Sequence, residues 1–272
     1  MQEISQMKKI AFIVPALIFI VLGCNSNQQP AANADTAAVT LTPVKSLTFV
    51  TGTYTQKTKL PCDNCPEAEV VVPVAQGDTG IAQKINDSVF SAVQSVLGWE
   101  DKQFNNYDSL LANFIKMYEE TVKVMSKDAV VGWSGTVNGS LVKQTDKLVN
   151  IMLDTYTMTG GAHGNSNMIS LLFDPATGNK LSLNDVIKDE PGFTALAETT
   201  FRQKLEIPAG TSINSTIFTF KDDTFALPGN IFFMKDSLLL HYNPYEIGPY
   251  AIGTTEITIP YSKAQAYLAV QP

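Results

Sequence analysis

Thr155 to Ile187 reads TYTMTGGAHGNSNMISLLFDPATGNKLSLNDVI, and the rest of the chain is organised around it. The stretch begins as a strand and breaks at Gly160-Gly161-Ala162-His163-Gly164. It resumes as a second strand from Asn167 to Phe173. Three glycines in five residues require either positive φ or close approach of the backbone to another group. Asp174-Pro175-Ala176-Thr177-Gly178 then turns, with Asp before Pro and Gly where the left-handed conformation is needed. A short helix starts near Ser182.

Upstream, the pattern from Ala129 has a period of two, with Val131, Trp133, Gly135 and Val137 on one face. Asn138-Gly139 is a strong two-residue turn signal, so a hairpin is expected there. Its return strand would start at Leu141-Val142, and a further strand runs from Leu148 to Met158. The Trp133 ring is assigned to a sheet face, with carbohydrate stacking as the alternative. Two helices come earlier. Ile81, Ile85, Val89, Val93 and Val96 share one face of the first, capped by Asp78 or Thr79. Leu110 or Leu111, Phe114, Tyr118, Val122 and Met125 line the second, capped by Asp108, with Glu119, Glu120 and Lys123 on its wet side. Both stripes are read as core faces packed on a sheet.

A strand over Leu47–Tyr54 and a valine run at Val70–Val72 flank Cys62-Asp63-Asn64-Cys65. In an exported protein a structural Cys62–Cys65 disulfide is the leading reading, with a redox pair and a zinc site as alternatives. Pro66 and the valines indicate a turn into a strand, whereas a redox pair wants a helix N-terminus. No second cysteine pair or histidine cluster supplies further zinc ligands.

Downstream, Asp189-Glu190-Pro191 opens a helix whose apolar face is Phe193, Leu196 or Ala197, Phe201 and Leu205; Pro208-Ala209-Gly210 stops it. Ile217–Phe220, Asn230–Met234 and Ser237–Asn243 read as strands. His241 falls on the face opposite Leu238, Leu240 and Tyr242 and is assigned to polar surface. Tyr245-Glu246-Ile247-Gly248-Pro249-Tyr250-Ala251-Ile252-Gly253 lies in a loop too rich in Gly and Pro to be regular. A strand from Thr255 to Ile259 and a short amphipathic helix from Ser262 to Leu268 close the chain.

The first residues carry an address. Met7-Lys8-Lys9 is a basic n-region, and Ile10 to Leu22 is an almost unbroken apolar run. That run is shorter than the ~20 residues a spanning helix needs and suits a cleaved signal. Met7 fits as the translation start, the six residues before it diluting the n-region. A retained signal-anchor is the alternative. Val21-Leu22-Gly23-Cys24 resembles the lipobox of bacterial lipoproteins. The resemblance implies cleavage before Cys24, its lipidation, and a bacterial cell-envelope location on the non-cytoplasmic side of a membrane, periplasm-facing or at the surface. Several acyl chains make such an anchor stable. Residues 24–44, rich in Asn, Gln, Ala, Thr and Pro, are read as a disordered tether.

The 272 residues are 44% hydrophobic, enough for one large core or two small ones. Net charge is −7, and no basic run follows Lys9, so nucleic-acid binding has no electrostatic footprint. Only two histidines and three cysteines are available. With no G-x-S-x-G elbow, H-E-x-x-H helix or phosphate-cradling loop, the sequence names no reaction, cofactor or metal.

The run from Tyr156 to Gly164, then Phe173-Asp174 with Thr177-Gly178, then Tyr245 to Gly253, then Ile259-Pro260-Tyr261, resembles a tandem pair of extracytoplasmic domains of unknown function. That pair also occurs in lysozyme-sensing (RsiV-like) anti-sigma factors and beside the catalytic domain of a PdaC-like peptidoglycan deacetylase. The resemblance spans about Val44 to Leu268. It implies an α+β fold of two abutting subdomains, mostly antiparallel sheets packed against a few helices. These are residues 45–155 (PdaC-like) and 156–272 (like the C-terminal part of the RsiV-like proteins), after a signal over 1–23. The anti-sigma proteins need a cytoplasmic segment ahead of a membrane span, and only Met1–Gln6 precede Met7. The deacetylase needs a catalytic domain with a His/Asp metal site, which His163 and His241 do not provide. What the resemblance leaves is a module binding peptidoglycan or a lysozyme-type secreted protein.

Gly160, Gly161, His163, Tyr245, Glu246 and Tyr250 are the candidate ligand-binding residues. A His163–Glu246 pair beside a phenol could do acid/base work as a cell-wall hydrolase or deacetylase. The plainer alternative is that these groups satisfy backbone in irregular segments. Each loop carries polar groups suited to the other's backbone, so the two are expected side by side, with His163 in reach of Tyr245, Glu246 or Tyr250.

Overall fold

The computed structural model describes residues 47–62, 65–99, 102–125 and 132–271. The expected signal, the expected lipidation site Cys24 and the expected tether lie outside the described residues. The fold is α+β. A five-stranded sheet runs in the order β1 (Thr48–Gln56), β2 (Glu67–Gln76), β3 (Ser134–Gln144), β4 (Val149–Met158), β5 (Asn165–Phe173). All neighbours are antiparallel except β2 and β3. A parallel pair needs a long crossover, and two helices supply it: α1 (Thr79–Leu97) and α2 (Tyr107–Val124). Asp78 caps α1 by accepting from Gly80 N and Ile81 N. Asn106 caps α2, accepting from Ser109 N at 2.8 Å; Asp108, expected as the cap, sits within the first turn instead.

The two helices bury Ile85, Val89, Val93, Leu110, Leu111 and Phe114 against Val70, Val72, Val137, Ile151 and Leu153 of the sheet. Trp133 is 4% exposed, stacked on Trp99 at 5.7 Å and edge-on to Phe114 and Tyr118. No face is left for a sugar. The hairpin expected at Asn138-Gly139 is absent: β3 runs straight through both residues, and the chain reverses at 145–148. Gly139 serves packing here. A Cβ there would stand 2.8 Å from the Pro73 ring and 3.0 Å from Leu153.

The second half begins with α3 (Leu183–Val186), boxed by Ser182 and Asp185, and α4 (Glu190–Lys204), capped by Asp189. A three-stranded antiparallel sheet follows in the order β6 (Asn230–Phe233), β7 (Ser237–Tyr242), β8 (Thr255–Pro260), then α5 (Tyr261–Ala264). Phe201 of α4 is the centre of this core. Phe218, Phe220, Phe225 and Tyr242 meet its ring edge-on, with centroids 5.1 to 5.9 Å away. The strand expected at Ile217–Phe220 is not one. Its alternation is real, with Phe218 and Phe220 buried and Ile217 exposed, but the Asn214 amide and Ile247 O satisfy its backbone in place of a ladder.

The halves share one docking seam. Asn150 on β4 is fully buried; it accepts from Phe233 N at 2.9 Å and donates to Ser170 Oγ at 3.0 Å and Leu171 O at 3.2 Å. Ser170 on β5 donates from its N–H to Asn230 Oδ1 and from Oγ to Ile231 O. The 155/156 boundary falls inside β4, and β5 completes the first sheet. Leu148 and Leu172, at the ends of these strands, pack into the aromatic core.

Candidate functional site

The β4–β5 connection is the glycine-rich turn. Gly160 (φ 110°) and Gly161 (φ 91°) face open space, so their glycines answer to conformation alone. Gly164 differs, since a side chain there would strike the Tyr156 ring. The exposed His163 ring stacks on Tyr250 with centroids 3.7 Å apart and planes at 11°. Its Nδ1 donates to Gly164 O at 2.9 Å, and the Tyr250 hydroxyl donates to the same carbonyl at 3.0 Å. Tyr245 comes within 5.4 Å of Tyr250. It is 61% exposed and has φ 69°, a left-handed conformation that a non-glycine residue adopts at a cost.

The structure therefore brings together His163, Tyr250 and Tyr245 and engages Glu246 elsewhere. Glu246 Oε2 accepts from Asn243 N at 2.8 Å, and Oε1 accepts from Gly229 N at 3.2 Å. These bonds close its own loop and tie it to the approach to β6. Cys62 and Cys65 are joined as a disulfide with Cα atoms 5.2 Å apart, just before β2. Past the Tyr250 turn, an open groove of about 380 Å³ is lined by Lys204, Leu205, Ile217, Ile252, Thr255 and Glu256. Among the described residues, no group of three or more His, Cys, Asp or Glu is placed to hold a metal, and no helix is long and apolar enough to cross a membrane.

His241 corrects the expectation of polar surface. It is 1% exposed, with Nδ1 2.8 Å from Glu256 Oε1 and Nε2 3.2 Å from Asn243 Oδ1. Alternation assigned the face correctly. Yet β7 is a central strand whose second face is covered as well, with the buried Phe232 ring edge-on to the imidazole. Asn243 continues the link: its Oδ1 accepts from Met168 N at 2.8 Å, and its Nδ2 donates to Met168 O at 3.0 Å. An isolated His-x-Asn gives no hint of this, because its partners come from β5 and β8.

Residues 62–166 match the family model "Deacetylase PdaC", and residues 172–262 match a protein family of unknown function, DUF3298. A crystal structure of a DUF3298 family member from Bacteroides fragilis is similar over 84% of this chain and 96% of its own, at 20% identity and a TM-score of 0.58. A DUF3298 family protein from Pseudomonas aeruginosa is similar over 82% and 94%, at 20% identity and 0.55. At such identities the likeness shows the fold. No curated protein matches the chain. The glycine-rich turn closes the first matched segment, and the Tyr245–Gly253 loop belongs to the second; the two matched segments follow one another along the chain.

Proposed function

We propose that the chain is a lipid-anchored protein of the bacterial cell envelope, held on the non-cytoplasmic side of a membrane through Cys24. Its folded part is a non-enzymatic binding module for cell-wall glycan or a secreted protein of lysozyme type. The basic, apolar and lipobox-like run from Met7 to Cys24 supports the location. One observation carries the binding reading: His163, Tyr250 and Tyr245 form a ring cluster at the surface, with Tyr245 exposed on left-handed backbone. Rigid aromatic side chains offer contact area at low entropic cost. Local strain retained without burial to repay it points to use. Glu246, committed to two backbone N–H groups, favours binding over acid/base work with His163.

The test incubates the full chain with insoluble peptidoglycan and, separately, with a lysozyme-type muramidase, with and without chelator. Retention without turnover, lost in Tyr250→Ala, is expected. Released sugar or acetate would favour a hydrolase or deacetylase using His163 and Glu246, and no retention on either probe overturns the binding reading. For the anchor, Cys24→Ala should leave the protein unprocessed or released. Membrane partitioning at normal mature mass would defeat it.

A further inference from the structure

Buried at the seam between the sheets, His241 faces an acceptor at each ring nitrogen. Glu256 Oε1 on β8 lies 2.8 Å from Nδ1, and Asn243 Oδ1 lies 3.2 Å from Nε2. An Asn amide can be turned over in a structure, which would exchange acceptor for donor. Here the backbone of Met168 fixes it. The amide oxygen takes the Met168 N–H and the amide nitrogen gives to the Met168 carbonyl, and reversing the amide would break both bonds. Only an imidazole protonated at both nitrogens donates to both neighbours. A singly protonated ring keeps one bond and sets a lone pair against an oxygen.

We infer that His241 is a proton-operated latch on the Tyr245–Gly253 loop. When doubly protonated it holds Asn243, which clamps β5 through Met168 and starts the loop whose Glu246 closes back on Asn243 N. Loss of the Nε2 proton leaves Asn243 without its donor from β7 and loosens the loop presenting Tyr245 and Tyr250. The latch is closed while both ring nitrogens carry hydrogen and opens when the ring gives up one of the two protons. The surroundings support this direction. Glu256 is the charged group in contact with the ring, and Lys204 Nζ of α4 touches the Glu256 backbone carbonyl, one step away. Glu246 lies one step beyond Asn243. Across the sheet, β6 offers the neutral Asn230 and the edge of Phe232. Importance for function rests on the binding reading above; the latch itself does not.

The experiment follows the full chain by NMR without any ligand, with 15N-labelled histidine and 3-fluorotyrosine, across the neutral range. Two histidines make ring assignment direct, using His163→Ala, and Tyr245→Phe and Tyr250→Phe assign the fluorine signals. At the acid end both His241 nitrogens should carry hydrogen. As one is lost, the Tyr245 and Tyr250 signals should move over the same range. Glu256→Gln keeps the shape and removes the carboxylate, so both responses should shift together to lower pH. The idea is overturned if His241 is singly protonated at every pH, or if the tyrosine signals stay fixed while it titrates. A tyrosine response abolished by His163→Ala, with His241 still titrating, overturns it too. Because no ligand is present, failure of the binding reading leaves each of these outcomes unchanged.

Discussion

The two halves reach a closed core by different means. In the first, helices and strands pair their own backbone, and aliphatic side chains at regular spacing fill the space between α1, α2 and the sheet. In the second, much of the backbone between α4 and β6 is irregular, and side chains do the pairing. Asn214 satisfies Phe220 in both directions, Asp223 accepts from Ser212 and Asn214, and Glu246 ties two N–H groups. A core of rings around Phe201 fills that half. A fold held by side-chain amides depends on single residues, whereas a ladder spreads the same task over many.

The sharpest way to break this comparison is at its centre. Phe201→Ala should destabilise the protein by about 3–5 kcal/mol, since four rings lose their common neighbour and a cavity remains. Val89→Ala in the first core removes two methyl groups from a site that neighbouring aliphatics can close on, and should cost roughly half as much or less. Urea melts of the two variants check it, and equal losses would mean that the cores do not differ in kind. Next comes the seam. Asn150→Leu leaves Phe233 N–H buried without an acceptor and should cost about 1–3 kcal/mol, although it adds apolar volume. Amide exchange at Phe233 should speed up selectively.

Legibility followed the same divide. Helix periodicity located α1 and α2, because an aliphatic stripe has one meaning when a sheet waits beneath it. The turn at Gly160-Gly161 could be read from glycine chemistry, and the meeting of His163 with Tyr250 from the polar groups each loop offers the other's backbone. Failures came where a local signal was overridden from a distance. Asn138-Gly139 looks like a turn until Pro73 from the neighbouring strand is seen to need the space. His241 looks like surface until Phe232, Asn243 and Glu256 enclose it. Ile217–Phe220 alternates like a strand because two rings reach the core, while its partners are an amide and a loop carbonyl.

Proton linkage offers a gentler probe of the side-chain-built half. Burial, with Asp236 close by, pushes the Tyr261 phenol up to about 12, while its hydroxyl donates to Met234 O at 2.7 Å. A raised value in the fold means stability that is complete below the unfolded value of about 10 and is lost as pH climbs toward 12. Asp223 runs the opposite way. The Ser212 hydroxyl, then Asn214 N–H, hold its carboxyl below the ordinary value, so its contribution is present above the unfolded value and fades on acidification. Tyr261→Phe should flatten the alkaline limb of a stability–pH curve, and Asp223→Asn the acid limb. Unchanged limbs would show that these bonds do not distinguish folded from unfolded chain.

The smallest expected effect is the most informative about the surface. Tyr245 is exposed and strained, so it contributes little to either core. Tyr245→Gly relieves left-handed backbone, worth about 1 kcal/mol. Against that stand the glycine's greater unfolded entropy and the loss of a tilted contact with Tyr250, together of similar size. Net stability should move by no more than about 0.5 kcal/mol, while retention on the probe that binds falls. The same change at a residue the fold depends on would look different: a loss of 1 kcal/mol or more would place Tyr245 in the scaffold. Its unusual backbone would then be a consequence of packing, and the ring cluster would shrink to the His163–Tyr250 pair.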